Sequence, residues 1–215
     1  MSAARTSPSR SSRPISSTRK ECVFVAEFSL RAEPFLGGYD EGFDRLRLTE
    51  VTDLAIVSLA PPLGQEAALA AAFKDAYGAD WPAPGETTTS ANGDTRFLGI
   101  AGDQIFALFP RPAGLASRAV AEKLGDAAYL TEQSDNWVLL RLDGPPTLAV
   151  LERMIPLDLA QFHVGTVART LMEHLGVSLL REAPDRFLLM SASSSASSFL
   201  HALETAIGNV TALAP

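Results

Sequence analysis

The sequence predicts an α+β fold built from two ferredoxin-like (split βαβ) units set side by side. Three observations carry that expectation. Both halves of the body run through the same order of apolar stretches, β-α-β-β-α, which is the order of a split βαβ unit. The stretches are short and bounded by Gly and Pro, as in packed strands and helices. Of 215 residues, 47% are hydrophobic and 20% charged, enough for a core and too apolar for a wholly disordered chain. No apolar run approaches the roughly 20 residues that cross a bilayer, so a membrane protein is not expected.

Residues 1–20 carry Arg5, Arg10, Arg13, Arg19 and Lys20 and no acid, among Ser and Pro. With one large aliphatic, Ile15, this stretch is expected to be a disordered basic tail, because it has too little apolar surface to offset the entropy of ordering. It lacks the apolar core of a secretory signal. Residues 21–47 are expected to be an N-terminal extension: ECVFVAEFSL as a short strand, then a polar loop through Gly37-Gly38. Two α+β units follow, at 48–130 and 131–211.

In the first unit, residues 48–60 read as one strand with Val51, Leu54, Ile56, Val57 and Leu59 and no Gly or Pro. Pro61-Pro62 stops it. Gly64 opens an Ala-rich helix to Tyr77, whose Leu69, Phe73 and Tyr77 share one face at i, i+4, i+8. Residues 82–93 form a loop. Residues 96–100 and 104–109 pair as a hairpin about Ala101-Gly102-Asp103, and 114–124 is a second helix. Tyr129-Leu130 begins a short strand.

The second unit repeats this order. Residues 137–142 are near-continuously apolar, as in a strand buried on both faces. Gly144-Pro145-Pro146 leads into a helix with Leu148, Leu151 and Ile155 on one side, ended by Pro156. Residues 164–175 read as a strand, followed by 177–180 and 187–190. The last helix sets Ala196, Leu200, Leu203 and Ile207 in a stripe, with Ser193, Ser194 and Ser195 available to cap it.

Catalytic vocabulary is thin. The one cysteine, Cys22, permits no intramolecular disulfide and no thiolate cluster. His163, His174 and His201 match no local metal-ligand spacing, so no metal site is expected. Asp158 beside His163 is an ordinary loop pair. The serine run 191–198 contains no nucleophile elbow. There is no G-x-G-x-x-G, Walker or H-E-x-x-H motif. No residue is assigned a catalytic role, and cofactor-binding residues stay unassigned. Beyond residue 20 the chain has 13 basic against 25 acidic side chains, a balance of −12 that repels phosphate backbones and disfavours nucleic acid. Phe35, Tyr39, Phe43, Trp81 and Phe162 fall in loops, where they either anchor an interface or fold back on the core.

The string TEQSDNWVLLRLDGPPTLAVLERMIPLDL at 131–159, then HVGTVARTLMEHLGVSLLREAPDRFLLM at 163–190 and SSFLHALETAI at 197–207, resembles the gamma subunits of heterotetrameric sarcosine oxidases. These lie within the glycine-cleavage T-protein (aminomethyltransferase) and folate-binding superfamily. Glu132 stands where the family pattern has aspartate. The chain is much shorter than a T-protein and lacks that enzyme's aromatic-rich N-terminal motif.

The resemblance implies a T-protein-like fold and a non-flavin assembly subunit of a cytoplasmic complex that oxidatively demethylates sarcosine to glycine. Hydrogen peroxide and 5,10-methylenetetrahydrofolate are the other products. It places FAD, FMN, NAD and zinc in partner subunits and none on this chain, with tetrahydrofolate as co-substrate. It implies alpha, beta and delta partners, and self-association of the isolated chain is compatible with it. The alternatives are a stand-alone folate-binding module and, through residues 1–20, a nucleic-acid-associated protein. The polar positions carrying the match are Ser134, Asp135 and Trp137 in one segment and Arg169 and His174 in another, and these are the candidate interface residues.

Overall fold

A computed structural model describes residues 32–212; the expectations for the basic tail, Cys22 and the strand at 21–30 lie outside them. Both sheets lie in one compact unit that begins at Glu33. Among the described residues a six-stranded sheet has the order β1 (Asp40–Phe43), β2 (Leu46–Glu50), β8 (Trp137–Asp143), β11 (Arg186–Ala192), β10 (Leu175–Ala183), β9 (Val167–Met172). A five-stranded sheet has the order β4 (Thr87–Thr89), β5 (Arg96–Ala101), β6 (Gln104–Pro110), β3 (Leu54–Ala60), β7 (Tyr129–Glu132). All pairings are antiparallel.

The alternation of side chains along each strand sorts the core into layers. Val138, Leu140, Leu142, Phe187 and Leu189 face helices α3 (Thr147–Leu151) and α4 (Ala196–Thr211), which bring Val150, Leu151, Phe199, Leu203 and Ile207. Ala55, Val57, Leu59, Phe97 and Ile105 face α1 (Glu66–Tyr77) and α2 (Ala116–Leu124), which bring Leu69, Phe73, Tyr77, Val120 and Leu124. The opposite faces of the two sheets meet each other through Ile56, Leu98, Phe106, Leu108, Leu139, Val167, Leu180, Leu188 and Met190. Each fully buried Leu or Phe contributes about 1.5–3 kcal/mol of transfer free energy.

The expected single strand at 48–60 is two strands in different sheets. Val51, Thr52 and Asp53 carry the chain across, and Val51 N–H donates to the Leu139 carbonyl at 2.9 Å. The crossing is repeated after β7, where Gln133 N–H donates to the Ile56 carbonyl at 2.9 Å. Each β-α-β-β-α half is therefore extended by a strand from outside that order: β2 pairs beside β8 in the six-stranded sheet, while β7 pairs beside β3 in the five-stranded one.

Three further expectations need correction. The polar loop expected at 37–47 contains β1 and the start of β2, held together by Asp40, which accepts from Arg47 Nε at 2.6 Å and Thr49 Oγ1 at 3.0 Å. The loop expected at 82–93 contains β4. The strand expected at 164–175 is β9 and the first residue of β10, joined by a turn at Glu173-His174. Glu173 adopts a left-handed φ of 54°, so this tight turn is made without the Gly or Asn that normally announces one.

The helix after Pro146 is shorter than its apolar stripe implies, and turns follow it from Glu152. In the last helix no serine side chain caps the N-terminus; Ser193–Ser195 form a 3₁₀ turn instead. Of the loop aromatics, Trp81 packs edge-on against Phe73 at 5.2 Å and Phe162 stacks over Phe187 at 6.3 Å. Tyr39 and Phe43 lie against the α4 side of the core, and Tyr39 O–H donates to Glu204 at 2.8 Å. Four of the five thus fold back on the core, and Phe35 stays exposed.

Candidate functional site

A cavity of about 640 Å³ opens at the end of the six-stranded sheet where β8 begins and β11 ends. Register shows how its inner-face wall is assembled. Trp137 lies opposite Ala192, and Gly176 opposite Leu171; one step further in, Ser178 lies between Met190 and Arg169. These residues share the sheet face that elsewhere packs on the second sheet. Here the second sheet does not reach, so Leu171 is 58% exposed and Arg169 is exposed beside it. Ser178 is 1% exposed and its hydroxyl has no hydrogen-bond partner among the described residues. The N-terminal edge of α4 contributes Ser195 to the rim.

The structure brings two of the five sequence candidates to this cavity. Trp137 is half-buried, donates its indole N–H to Gln133 Oε1 at 3.2 Å, and meets Phe106 edge-on at 5.6 Å. Arg169 stands on edge strand β9, and its guanidinium makes no hydrogen bond or ion pair within the described residues.

The other three lie elsewhere. Ser134 is buried at the second sheet crossing, accepting from Ile56 N–H at 3.1 Å and donating to Glu132 Oε1 at 2.6 Å. Asp135 is exposed and pairs with Arg111 at 3.2 Å. His174 is exposed on the β9–β10 turn. Leu171, Gly176, Ser178 and Ala192 were not singled out in the sequence. All four are ordinary strand residues, and only the uncovered sheet corner gives them a common role.

Glu132 has a local task. Its Oε2 accepts from Ser117 N–H at 2.8 Å in the first turn of α2, a turn with no acid of its own. Burial alone raises a carboxyl's pKa, but the hydrogen bonds from Ser134 and Ser117 outweigh it and hold Glu132 below the usual glutamate value. This charge complements the helix N-terminus. It explains an acid before Ser134 by folding, without chemistry.

The far end of the inter-sheet seam is closed by charge. Glu182 on β10 accepts from Arg141 Nε on β8 at 2.8 Å and lies 3.8 Å from Arg96 on β5, joining the two sheets. Among the described residues no three His, Cys, Asp or Glu side chains are grouped to hold a metal ion, and no helix is long and apolar enough to cross a membrane.

Two antiparallel sheets in split βαβ order, packed face to face with helices outside, define the fold class of the aminomethyltransferases. The glycine cleavage system aminomethyltransferase T from Bartonella henselae superposes with a TM-score of 0.55 at 14% identity, covering 78% of this chain and 53% of that one. The heterotetrameric sarcosine oxidase from Corynebacterium sp. U-96, solved with pyrrole 2-carboxylate, superposes with a TM-score of 0.68 at 24% identity over 82% of this chain and 91% of the matched one. No protein-family model matches. A sarcosine oxidase subunit gamma from Arthrobacter sp. is 31% identical over 153 residues, 70% of this chain and 73% of that protein. The chain belongs to the family of sarcosine oxidase gamma subunits.

Proposed function

We propose that the protein is the gamma subunit of a heterotetrameric sarcosine oxidase and acts in assembly without performing redox chemistry itself. The observation that carries this is the 31% identity to a gamma subunit over most of both chains. In this reading the alpha, beta and delta chains are its partners in the cytoplasm. The flavins FAD and FMN, NAD and zinc reside in those partners, and tetrahydrofolate is the co-substrate. The present sequence has no dinucleotide or phosphate-loop fingerprint, which agrees with that division. A packed, catalytically bare subunit can also wall off the route of a reactive imine, since an enclosed passage limits its hydrolysis.

Co-expression with neighbouring operon products, followed by affinity capture and mass spectrometry, tests the reading. A stoichiometric yellow complex of this chain with two larger chains and one small one is expected. Recovery of a folded chain alone overturns it. The alternative, a stand-alone folate-binding module, draws on the cavity that sets an indole beside a free guanidinium. Calorimetric titration of the isolated chain with tetrahydrofolate separates the two, because only the second reading requires tight binding without partners.

A further inference from the structure

The β9–β10 hairpin has a counterpart in the other half, and the two differ in length. In each half an edge hairpin starts at a related pair, Thr87 opposite Leu98 and Val167 opposite Leu180. Each is preceded by a glycine at φ near +88°, Gly85 and Gly165, whose N–H bonds across to Gly99 and Arg181 respectively, both at 2.9 Å. From that common start β4 pairs only as far as Thr89 opposite Arg96, whereas β9 continues to Met172 opposite Leu175. The chain after β4 closes at once: Ser90 N–H bonds the Thr95 carbonyl and Asn92 bonds Asp94.

The longer hairpin overhangs the second sheet, and its inner face is the wall that holds Arg169 and Leu171. Its outer strand β9 ends the sheet among the described residues, so residues 168–172 present a backbone edge with no partner strand there. An exposed edge with an apolar residue on it is a template for pairing with another chain unless something covers it.

We propose that this corner is where the gamma subunit receives an extended, acidic segment of a larger partner subunit, added as a further strand beside β9. The inference rests on the gamma-subunit reading. Backbone pairing along β9 supplies affinity, and alternate side chains supply selectivity. An aliphatic or aromatic side chain of the segment packs on exposed Leu171 at the outer rim of the cavity. A carboxylate beside it meets Arg169, whose guanidinium has no partner among the described residues. An incoming basic segment is disfavoured by that same charge. A second copy of this chain offers β9 only another Arg169, so self-pairing sets like charges together.

The test uses the full chain co-expressed with the larger subunits. Leu171→Asp and Arg169→Glu are each expected to lower the partner recovered with the tagged chain at least tenfold, with circular dichroism unchanged. Leu63→Asp, at a site 96% exposed and remote from β9 in the sequence, is expected to leave recovery unaltered. Hydrogen exchange of amides 168–172 should slow in the complex relative to the isolated chain. A wild-type complex that both variants retain in full, or β9 amides that exchange equally fast in the complex, overturns the docking site and leaves the gamma-subunit reading standing. No complex with the wild-type chain removes both. A concentration-dependent dimer abolished by Leu171→Asp also overturns the proposal, in favour of self-association.

Discussion

The two ends of the seam between the sheets are related by the internal repeat, and they are finished in opposite ways. At one end Glu182, hydrogen-bonded to Arg141, closes the gap through an ion pair to Arg96 at 3.8 Å. Counting along the strands from the paired start of each hairpin, the related positions at the other end are Ser178, Ile100 and Ser58. None carries a charge, and Ser58 is occupied by accepting from Gln104 Nε2 at 2.8 Å. The cavity beside Trp137 borders Ser178 at this second end. One end is therefore committed to holding the sheets together, while the other leaves a sheet corner free. A repeat can use one half for stability and spend the freedom of the other on contact with something else.

The repeat also predicts where the halves tolerate change differently. Gly99 and Arg181 are related positions, but a Cβ on Gly99 would stand 2.0 Å from the Ala83 carbonyl oxygen. Gly99→Ala is expected to destabilise by about 3 kcal/mol, lowering Tm by about 10 °C in a thermal melt. Arg181→Ala loses hydrogen bonds to the Phe162 and Pro184 carbonyls, both at 2.6 Å, and the guanidinium's place over the Phe187 ring, and should cost about 1–2 kcal/mol. Equal effects would show that the halves are not related as described.

Glu132 gives a smaller, pH-dependent effect. Its carboxyl is held below the ordinary glutamate value, so its contribution is complete above that value and is lost as pH falls through the lowered one. Glu132→Gln should lose about 1 kcal/mol at pH 7 in urea titrations, the difference vanishing at strongly acid pH. Asp135→Ala is expected to change stability by less than about 0.5 kcal/mol, because its pair with Arg111 is exposed.

Much of this architecture is legible in the residues. The α1 stripe at Leu69, Phe73 and Tyr77, the 96–109 hairpin and the final helix follow from period and punctuation. The sheet crossing is not, because the apolar run through Val51 continues on both sides without Gly or Pro. The turn at Glu173-His174 is hidden for a related reason, since an ordinary residue adopts the left-handed conformation there. At the candidate site, Trp137 and Arg169 are found through their motif. Ser178 and Leu171 emerge only when strand register and the missing cover of the second sheet are known. Ser134, Asp135 and His174 share the motif with them but sit outside the cavity, so proximity in a signature is not proximity in space.

The crossing of β2 into the six-stranded sheet bears on how the chain is made. During synthesis β2 leaves the ribosome early, yet its partner β8 is not translated until the whole first half has emerged. At about 5–20 residues per second, β2 waits several seconds beside an incomplete sheet. The five-stranded sheet in turn lacks its last strand until β7 appears. The six-stranded sheet is begun first and finished last, so a chain truncated between the halves leaves β1 and β2 without their place. Expression should therefore respond more to the pace of translation and to cooling than that of a protein whose sheets are each drawn from one continuous stretch of chain.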